Sequence, residues 1–321
     1  MKRRVFERYI EEAIESLPPR FKDALQNVEI VIGLTAGSSQ DRTGRALQRI
    51  WQDTNALNVT GTVVNRVGGG GQIAWTYLAQ HAGDAHYVLV VSPALVTSQI
   101  TGASRLTFTD FTPLALLGGQ YLAAAVRTES AIGSGRELME RLKRDPYTLS
   151  IGINTAGSAL HIVAGMIVKA AGGDPKKARI VVFQGAELMT AAMGGHVDSI
   201  VTVASNIQPH VESGKLRMLA VAAPRRLSGA LASVPTWKEQ GLDLVMTNWA
   251  GIAGAKALAP QQIAFWDRTL AATVAAADWK AFIEANQWEA EYLNSADFLK
   301  YLRAEDAKLR SALTDLGLAK Q

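Results

Sequence analysis

Two short segments of this sequence place backbone amides and hydroxyl groups where they could bind a small anion. The first, Thr35–Asp41, reads TAGSSQD, and the second, Asn154–His161, reads NTAGSALH. Each segment follows a short apolar run and precedes a pattern typical of a helix. The first N–H groups of a helix have no partner inside the helix and carry partial positive charge. Both segments could therefore hold a carboxylate or a phosphate group.

A capped helix start would explain the first segment taken alone, with Ser38 or Ser39 as the N-cap. The recurrence of the pattern in the second half of the chain favours anion binding instead. Gly37 would let a ligand approach the backbone, and the neighbouring hydroxyl groups would donate hydrogen bonds. Two such loops suit a small anion that is captured when two lobes close and exclude water, which strengthens each hydrogen bond.

Short apolar strands alternate with helical patterns along most of the chain. This alternation predicts an α/β fold with two lobes, each with a mostly parallel sheet covered on both faces. Ligands bind at the carboxyl ends of the strands in such sheets. The predicted strands are Val28–Leu34, Asn58–Asn65, Tyr87–Val91, Phe111–Leu117, Gln120–Val126, Thr148–Ile153, Arg179–Phe183, Asp198–Val203 and Leu216–Ala222. The predicted helices are Arg42–Asp53, Ile73–His81, Ser134–Arg144, Leu160–Ala171, Gly185–Met193, Gln261–Ala276, Trp279–Asn286 and Ala296–Leu316.

The pattern also predicts where the lobes begin and end. An N-terminal helical extension covers residues 1–27, and its amphipathic helix, Val5–Leu17, stops at two prolines. Lobe 1 begins at residues 28–121, lobe 2 follows at residues 122–222, and the chain returns to lobe 1 with C-terminal helices at residues 223–321.

Composition excludes several classes of function. The 321 residues carry a net charge of only +4 with scattered basic residues, so nucleic-acid binding has little support. The absence of cysteine excludes disulfides, thiolate metal sites and a cysteine nucleophile. No apolar run approaches the roughly 18 residues of a membrane span. Charged residues interrupt the N-terminus where a signal peptide has its apolar region, so we expect no secretion signal in the chain as written.

Motifs of the common enzyme classes are missing from the sequence. There is no G-x-S-x-G elbow, no H-E-x-x-H and no G-x-G-x-x-G dinucleotide loop. Gly68–Gly71 lacks the G-K-[ST] of a phosphate loop, which favours a plain tight turn. We therefore predict no catalytic residue, no metal and no cofactor.

Five candidate residues could act through their side chains, and each has two interpretations. Asp41 could contact a ligand, but a carboxylate in the first helical turn also satisfies the dipole, and we favour a role in holding the loop. His161 could be a catalytic base, but loop support or ligand contact is favoured. Asp198 could bind an amino group or cap its turn, with equal weight. Ser92 and Thr97 could line the cleft or cap a turn.

The two segments belong to a series of seven motifs. The others are NRVGGGGQIA at Asn65–Ala74, DFTPLALLG at Asp110–Gly118, GGHVDS at Gly194–Ser199, SGKLRMLAV at Ser213–Val221 and SVPTWKEQGL at Ser233–Leu242. In this order they resemble motifs of the solute-binding receptors of tripartite tricarboxylate transporters, also called Bug-type receptors. The resemblance covers the chain from about Val28 to its C-terminus.

This resemblance implies a type II periplasmic-binding-protein fold, with a carboxylate ligand between two α/β lobes. The implied ligands are di- and tricarboxylates, acidic amino acids and aromatic acids, and the implied partner is a membrane permease. We expect a monomer that does not itself span the membrane. The candidate ligand-binding residues are Thr35, Ala36, Gly37, Ser38, Ser39, Asp41, Ser92, Thr97, Asn154, Thr155, Ala156, Gly157, Ser158, His161, Gln184, Gly185 and Asp198.

Three departures from the family pattern affect the predicted pocket. Ala36-Gly37-Ser38 replaces the usual Pro-Gly-Gly, Phe183-Gln184-Gly185 replaces Tyr-Lys-Gly, and Thr202-Val203 stands where an Asp-Asn pair is frequent. A pocket without that lysine and that aspartate is less polar. We therefore expect a less highly charged ligand.

Two rival functions follow from other features of the chain. The N-terminal segment without a secretion signal leaves open an intracellular ligand-sensing or interaction protein, in the cytoplasm rather than the periplasm that the resemblance implies. A hydrolase that uses Ser38 or Ser158 is less favoured, because no acid–His–Ser order stands out.

Overall fold

The computed structural model describes residues 27–57, 59–183 and 185–320. The predicted helix Val5–Leu17 therefore lies outside the described residues. The chain forms two compact units. Unit 1 contains the described residues of 27–99, 103–119 and 249–307, and unit 2 contains those of 100–102, 120–248 and 308–320.

Unit 1 is built on a sheet in which three neighbouring strands are parallel. Its strands are β1 (Asn27–Ile32), β2 (Thr60–Asn65), β3 (Tyr87–Val91), the first part of β4 (Thr112–Arg127), β9 (Thr247–Gly254) and β10 (Trp288–Glu289), and the main order is β2-β1-β3-β9-β4. Its helices are α1 (Ser39–Asp53), α2 (Gln72–Ala79), α3 (Ala94–Ile100), α8 (Pro260–Ala275), α9 (Ala277–Ala285) and α10 (Ser295–Asp315). The last residue of α3, the first two residues of β9 and the C-terminal end of α10 belong to unit 2.

Helix α1 packs closely on β1 because a glycine faces the strand. A Cβ atom on Gly44 would lie 2.7 Å from the Cδ1 atom of Ile32, so a larger residue would require the Ile32 side chain to move. Farther along α1, Trp51 enters the core of unit 1, where its indole N–H donates to the Thr273 hydroxyl at 2.9 Å. Its ring lies against Trp266, which is also fully buried. These contacts place the start of α1 at the carboxyl end of β1.

Unit 2 repeats the arrangement of three parallel strands with a helix after the central one. Parallel β6 (Arg179–Val182), β5 (Ser150–Ile153) and β7 (Ser199–Val203) continue into antiparallel β4, which pairs on its other edge with β8 (Leu216–Val221). The helices are α4 (Gly135–Arg144), α5 (Ala159–Ala170), α6 (Glu187–Met193) and α7 (Ala204–Glu212). Trp237 packs against the start of α4, where a Cβ atom on Gly135 would lie 2.8 Å from its ring.

The structure confirms the predicted α/β class and differs from the sequence analysis in four elements and one connection. Helices α3 and α7 and strands β9 and β10 were not predicted. The segments predicted as Phe111–Leu117 and Gln120–Val126 form one continuous strand, β4, because buried small and apolar residues fill it. Among the described residues, no helix combines the length and the apolar character that crossing a membrane requires.

Candidate functional site

The carboxyl ends of the three parallel strands of unit 1 meet at one edge of the sheet. Ile32 of β1 lies beside Asn65 of β2 and beside Val90 of β3 in the strand register. The segment that follows β1, Thr35–Ser39, is called the first loop below. It leads directly into α1 and is the loop that the sequence analysis singled out.

The first loop turns at Gly37, whose φ of +80° suits glycine. The Ser38 amide donates to the Thr35 carbonyl at 3.1 Å, which closes the turn. Ser38 is the N-cap of α1, and its hydroxyl oxygen accepts a long hydrogen bond of 3.3 Å from the Asp41 amide. A capped helix start is therefore present, as one of the two interpretations required.

Asp41 holds the first loop in place from inside the fold. Its side chain, in a residue only 2% exposed, accepts hydrogen bonds from the Gly37 amide at 2.9 Å and from the Asn65 side chain at 3.0 Å. Arg45 adds an ion pair at 2.9 Å. Burial opposes ionisation of Asp41, yet the hydrogen bonds from Arg45, Gly37 and Asn65 keep its pKa below the ordinary value. These contacts support the interpretation that Asp41 holds the loop.

Two further side chains tie the first loop to the strands on either side of β1. Asn65, at the end of β2, also donates to the Leu34 carbonyl at 3.0 Å. Gln40, in the first turn of α1, donates to the hydroxyl of Ser92 after β3 at 3.0 Å. The loop is therefore fixed by residues from all three strand ends.

The fixed loop leaves several hydrogen-bond donors without partners. Thr35, Ala36 and Gly37 are exposed. Across residues 27–57, 59–183 and 185–320, no acceptor is found for the backbone amides of Thr35, Ala36 and Ser39. These amides stand at the positive end of the α1 dipole, so they can bind an anion.

The second loop, Asn154–Ser158, follows β5 and precedes α5 in unit 2. It repeats the geometry of the first loop, because Gly157 has a φ of +71° and donates its amide to the side chain four residues later. Here the acceptor is the Nδ1 atom of His161 at 3.0 Å. Ser158 is the N-cap of α5, but its hydroxyl donates to the Thr155 carbonyl at 2.7 Å instead of capping the helix.

The hydrogen bond from Gly157 defines the state of the His161 ring. Because Nδ1 accepts, the ring proton of the neutral imidazole must be on Nε2. Burial lowers the pKa of His161 below its ordinary value, which favours this neutral form. A neutral ring with no serine nucleophile bonded to it supports a role in holding the loop.

The second loop is also connected to both neighbouring strand ends. The Asn154 amide group donates to the Gly185 carbonyl after β6 at 3.0 Å, and the Thr202 hydroxyl near the end of β7 lies 3.5 Å from the Asn154 oxygen. Within the part of the chain that the structure describes, the backbone amides of Thr155, Ala156 and Ser158 have no acceptor. The second loop therefore offers the same kind of donors as the first.

Three predicted site residues are not placed at the surface of the two loops. Thr97 is buried within α3 at 2% exposure. Asp198 lies at the amino end of β7, where it accepts from the Ser150 amide and hydroxyl at 2.7 Å each. The four residues of β5 span about 13 Å, so Asp198 is at the opposite end of the strand from the second loop. This position favours turn holding over ligand contact. Gln184 lies outside the described residues.

Three residues at these loops were missed as candidates. Asn65 entered the sequence analysis only as the start of a glycine-rich motif, although an asparagine directly after a strand was a usable signal. Gln40 lies inside the TAGSSQD segment, where the smaller residues drew the prediction. Thr101 packs beside the second loop, since a Cβ atom on Gly157 would lie 3.3 Å from its methyl group. No local sequence pattern predicts this contact.

The described residues contain no cluster of three or more His, Cys, Asp or Glu side chains that could hold a metal ion. The donors at the two loops are backbone amides, hydroxyl groups and side-chain amides. This set can bind and orient an anion through hydrogen bonds.

Comparisons with known proteins agree with this geometry. The family model for the tripartite tricarboxylate transporter family receptor, TctC, matches residues 47–318. The UPF0065 protein in the gbd 5′ region of Cupriavidus necator is 26% identical over 297 residues, which cover 91% of this chain and 88% of that protein.

Solved structures of similar fold include a periplasmic binding protein and a protein solved with adipate. The periplasmic binding protein BugD aligns with a TM-score of 0.79 and 22% identity, over 92% of this chain and 99% of that one. Rpa4515 of R. palustris, solved with adipate, aligns with a TM-score of 0.81 and 20% identity, over 92% of this chain and 98% of that one. At these identities the likeness shows the fold, and it confirms the predicted periplasmic-binding-protein type.

Proposed function

Because this chain belongs to the tripartite tricarboxylate transporter receptor family, we propose that it is an extracytoplasmic receptor that binds a small carboxylate and presents it to a membrane permease. It acts in the periplasm and binds its ligand without chemical conversion. The family resemblance inferred from the seven motifs is confirmed by the match over residues 47–318. Members of this family are solute-binding receptors.

The repeated loop geometry is the observation that most directly supports this proposal. In both loops a side chain accepts the glycine amide, and this bond holds the loop so that neighbouring amides stay available. We propose that these amides donate to the ligand's carboxylate groups, together with the loop hydroxyls. The donors are the amides of Thr35, Ala36, Ser39, Thr155, Ala156 and Ser158.

A dicarboxylate, which carries less charge than a tricarboxylate, fits the residues around the loops best. Thr202, which contacts Asn154, and Val203 are nearly fully buried and uncharged, and they stand where the resemblance implies an Asp-Asn pair. The adipate in the Rpa4515 structure is a dicarboxylate with an apolar chain. We propose a ligand of this class rather than a tricarboxylate.

The test is a thermal-shift and calorimetric screen of refolded protein against succinate, malate, adipate, citrate, glutamate and benzoate. A ligand at about 100 times its dissociation constant adds roughly 2.7 kcal/mol to the free energy of unfolding. That should raise the melting temperature by several degrees, at about 2–4 °C per kcal/mol. No shift with any carboxylate would contradict the proposed function.

Charge reversal at the loops tests the proposed contacts. Gly37→Asp and Ser158→Asp place a negative charge beside the donors, so each should weaken carboxylate binding at least tenfold. Gly83→Asp is the matched control for Gly37, because Gly83 is exposed, has the same φ of +80° and would place a Cβ atom in open space, as Gly37 would. Exposed Ser213 supplies the control for Ser158. Unchanged affinity in both loop variants would show that the loops do not bind the ligand.

A further inference from the structure

The two loops use the same bond with acceptors of different acid–base chemistry. The Gly37 amide donates to a carboxylate oxygen of Asp41, and the Gly157 amide donates to the Nδ1 atom of His161. The spacing is four residues in each case, and both glycines have positive φ. A carboxylate loses this acceptor only in strong acid, whereas an imidazole loses it when the ring takes up a second proton.

Protonation of His161 would turn an attractive contact into a repulsive one. In the imidazolium form both ring nitrogens carry a proton, so Nδ1 would point its N–H at the N–H of Gly157. The glycine amide would then lose its partner, and the second loop would no longer be held in its present turn. The neighbouring Ser158 hydroxyl donates to the Thr155 carbonyl at 2.7 Å, and the acceptor of the Gly157 amide in this turn is the His161 ring.

The surroundings of His161 explain why its pKa is lowered. Burial alone lowers its pKa, with no charged side chain contributing to the shift. Among the elements packed against α5, β5 and β7 carry no charged residue. The charged residues of helix α4 are Arg136, Glu137, Glu140, Arg141, Lys143 and Arg144, and those of the turn after α5 are Asp174, Lys176 and Lys177. On α5 itself Lys169 is paired with Asp315 at 2.9 Å.

We propose that neutral His161 positions the second loop for the ligand, and that protonating its ring releases this loop while the first loop stays held by Asp41. His161 is thus a positioning residue that makes carboxylate affinity fall as the pH drops from neutral into the mildly acidic range. This inference rests on the proposed function for its effect on affinity, but its structural basis can be measured without a ligand.

Two substitutions at His161 distinguish the effect of the acceptor's position from the effect of its protonation. In His161→Asn the side-chain oxygen is attached to Cγ, as Nδ1 is, so it can accept from Gly157 and does not titrate. In His161→Gln the oxygen is one bond farther out, at the place of Nε2. His196→Asn, at an exposed histidine of unit 2, is the control. Affinity for the best carboxylate of the panel is measured by calorimetry between pH 7.5 and pH 5 for each protein.

Ionisation of the ligand affects both proteins equally, so it cancels in the ratio of wild-type affinity to His161→Asn affinity at each pH. We expect His161→Asn to retain most of the affinity at pH 7.5 and His161→Gln to lose about two- to tenfold, the range that corresponds to one hydrogen bond. The ratio should fall by a similar factor between pH 7.5 and pH 5, and wild type and His196→Asn should behave alike. A ratio that does not change with pH, or equal losses in the Asn and Gln variants, would overturn the proposal.

A measurement without ligand keeps this test independent of the proposed function. In ¹⁵N NMR spectra at neutral pH, Nδ1 of His161 should show the shift of an unprotonated nitrogen. The Gly157 amide signal should change with the same midpoint as the His161 ring when the pH is lowered. If no carboxylate binds but these two signals titrate together, the proposed function fails and the positioning role stands. If they titrate separately, the positioning role fails whatever the protein binds.

Discussion

The Nδ2 atom of Asn65 lies 3.0 Å from the Oδ1 atom of Asp41, and this contact joins the end of β2 to the loop that follows β1. The same amide group also donates to the Leu34 carbonyl. One side chain thereby satisfies a buried carboxylate and a backbone carbonyl at the start of the first loop. The shape of the loop depends on a residue that is distant from it in the sequence.

Asn65→Ala should weaken both the fold and the binding of carboxylates. The substitution removes the donor to the Oδ1 atom of Asp41 and to the Leu34 carbonyl, while the Oδ2 atom of Asp41 keeps Gly37 and Arg45. A buried unsatisfied group costs about 1–3 kcal/mol. Urea unfolding gives the loss of free energy, and calorimetry gives the loss of affinity. Asn206→Ala, at an exposed position of α7, should change neither quantity. If Asn65→Ala were as stable as wild type, the contact to Asp41 would not matter for the fold.

Asp41→Asn should destabilise the protein at neutral pH but not in acid. The pKa of Asp41 is lowered in the folded state, so its ionised form stabilises the fold above the ordinary pKa, and this stabilisation is lost as the pH falls through the lowered value. Removing the charge should cost about 1–3 kcal/mol at pH 7. The difference from wild type should be constant down to about pH 5 and shrink below about pH 4. Urea unfolding at pH 7, 5 and 3.5 checks this, and a difference that persists undiminished at pH 3.5 would contradict it.

Asp198→Ala should reduce stability without reducing carboxylate affinity. Asp198 accepts two bonds from Ser150 and donates its own amide to the Ser150 hydroxyl at 3.1 Å, all at the amino end of β5. Loss of the two bonds that the carboxylate accepts should cost about 1–3 kcal/mol. Affinity measured by calorimetry should stay within about twofold of wild type. A large loss of affinity in a variant of normal stability would instead support ligand contact by Asp198.

Gly251→Ala should destabilise unit 1 through crowding. A Cβ atom there would lie 2.5 Å from the Phe298 ring and 2.8 Å from the Ala115 carbonyl oxygen, and the latter is backbone that cannot turn aside. Overpacking of this kind costs about 1–3 kcal/mol. Gly61→Ala is the matched control, since this strand glycine would place its Cβ atom at an ordinary 3.7 Å from Trp51. Equal melting temperatures for the two variants would show that the strands can separate slightly.

Local patterns were sufficient to predict most of the fold and the place of both loops. The order strand, TAGS, helix occurs twice, and each occurrence forms a strand, a turn at a glycine of positive φ, and a helix. Strand β9 was missed because TNWAGIAG has alanines and glycines where β-branched residues would indicate a strand. It forms because burial between β3 and β4 suits small residues. Long-range pairing decided this element, and no local signal reports it.

The roles of individual residues were less accessible from the sequence than their positions. Asp198 begins the predicted strand Asp198–Val203, but the sequence does not tell which residue of a neighbouring strand lies beside it. Only the parallel pairing of β5 with β7 places it beside Ser150. The link between Asn65 and Asp41 likewise depends on the pairing of β1 with β2. Contacts made across strands need the sheet order, which the sequence patterns leave open.

Strand β4 has a consequence for how the protein unfolds. Its 16 residues belong to unit 1 up to Gly119 and to unit 2 from Gln120, so each sheet contains a piece of the same strand. If one sheet unfolds, it releases one end of the strand that the other sheet also contains. The two units should therefore unfold cooperatively. Of the seven tryptophans only Trp237 belongs to unit 2. Its fluorescence and that of the other six should consequently report a single transition in denaturant.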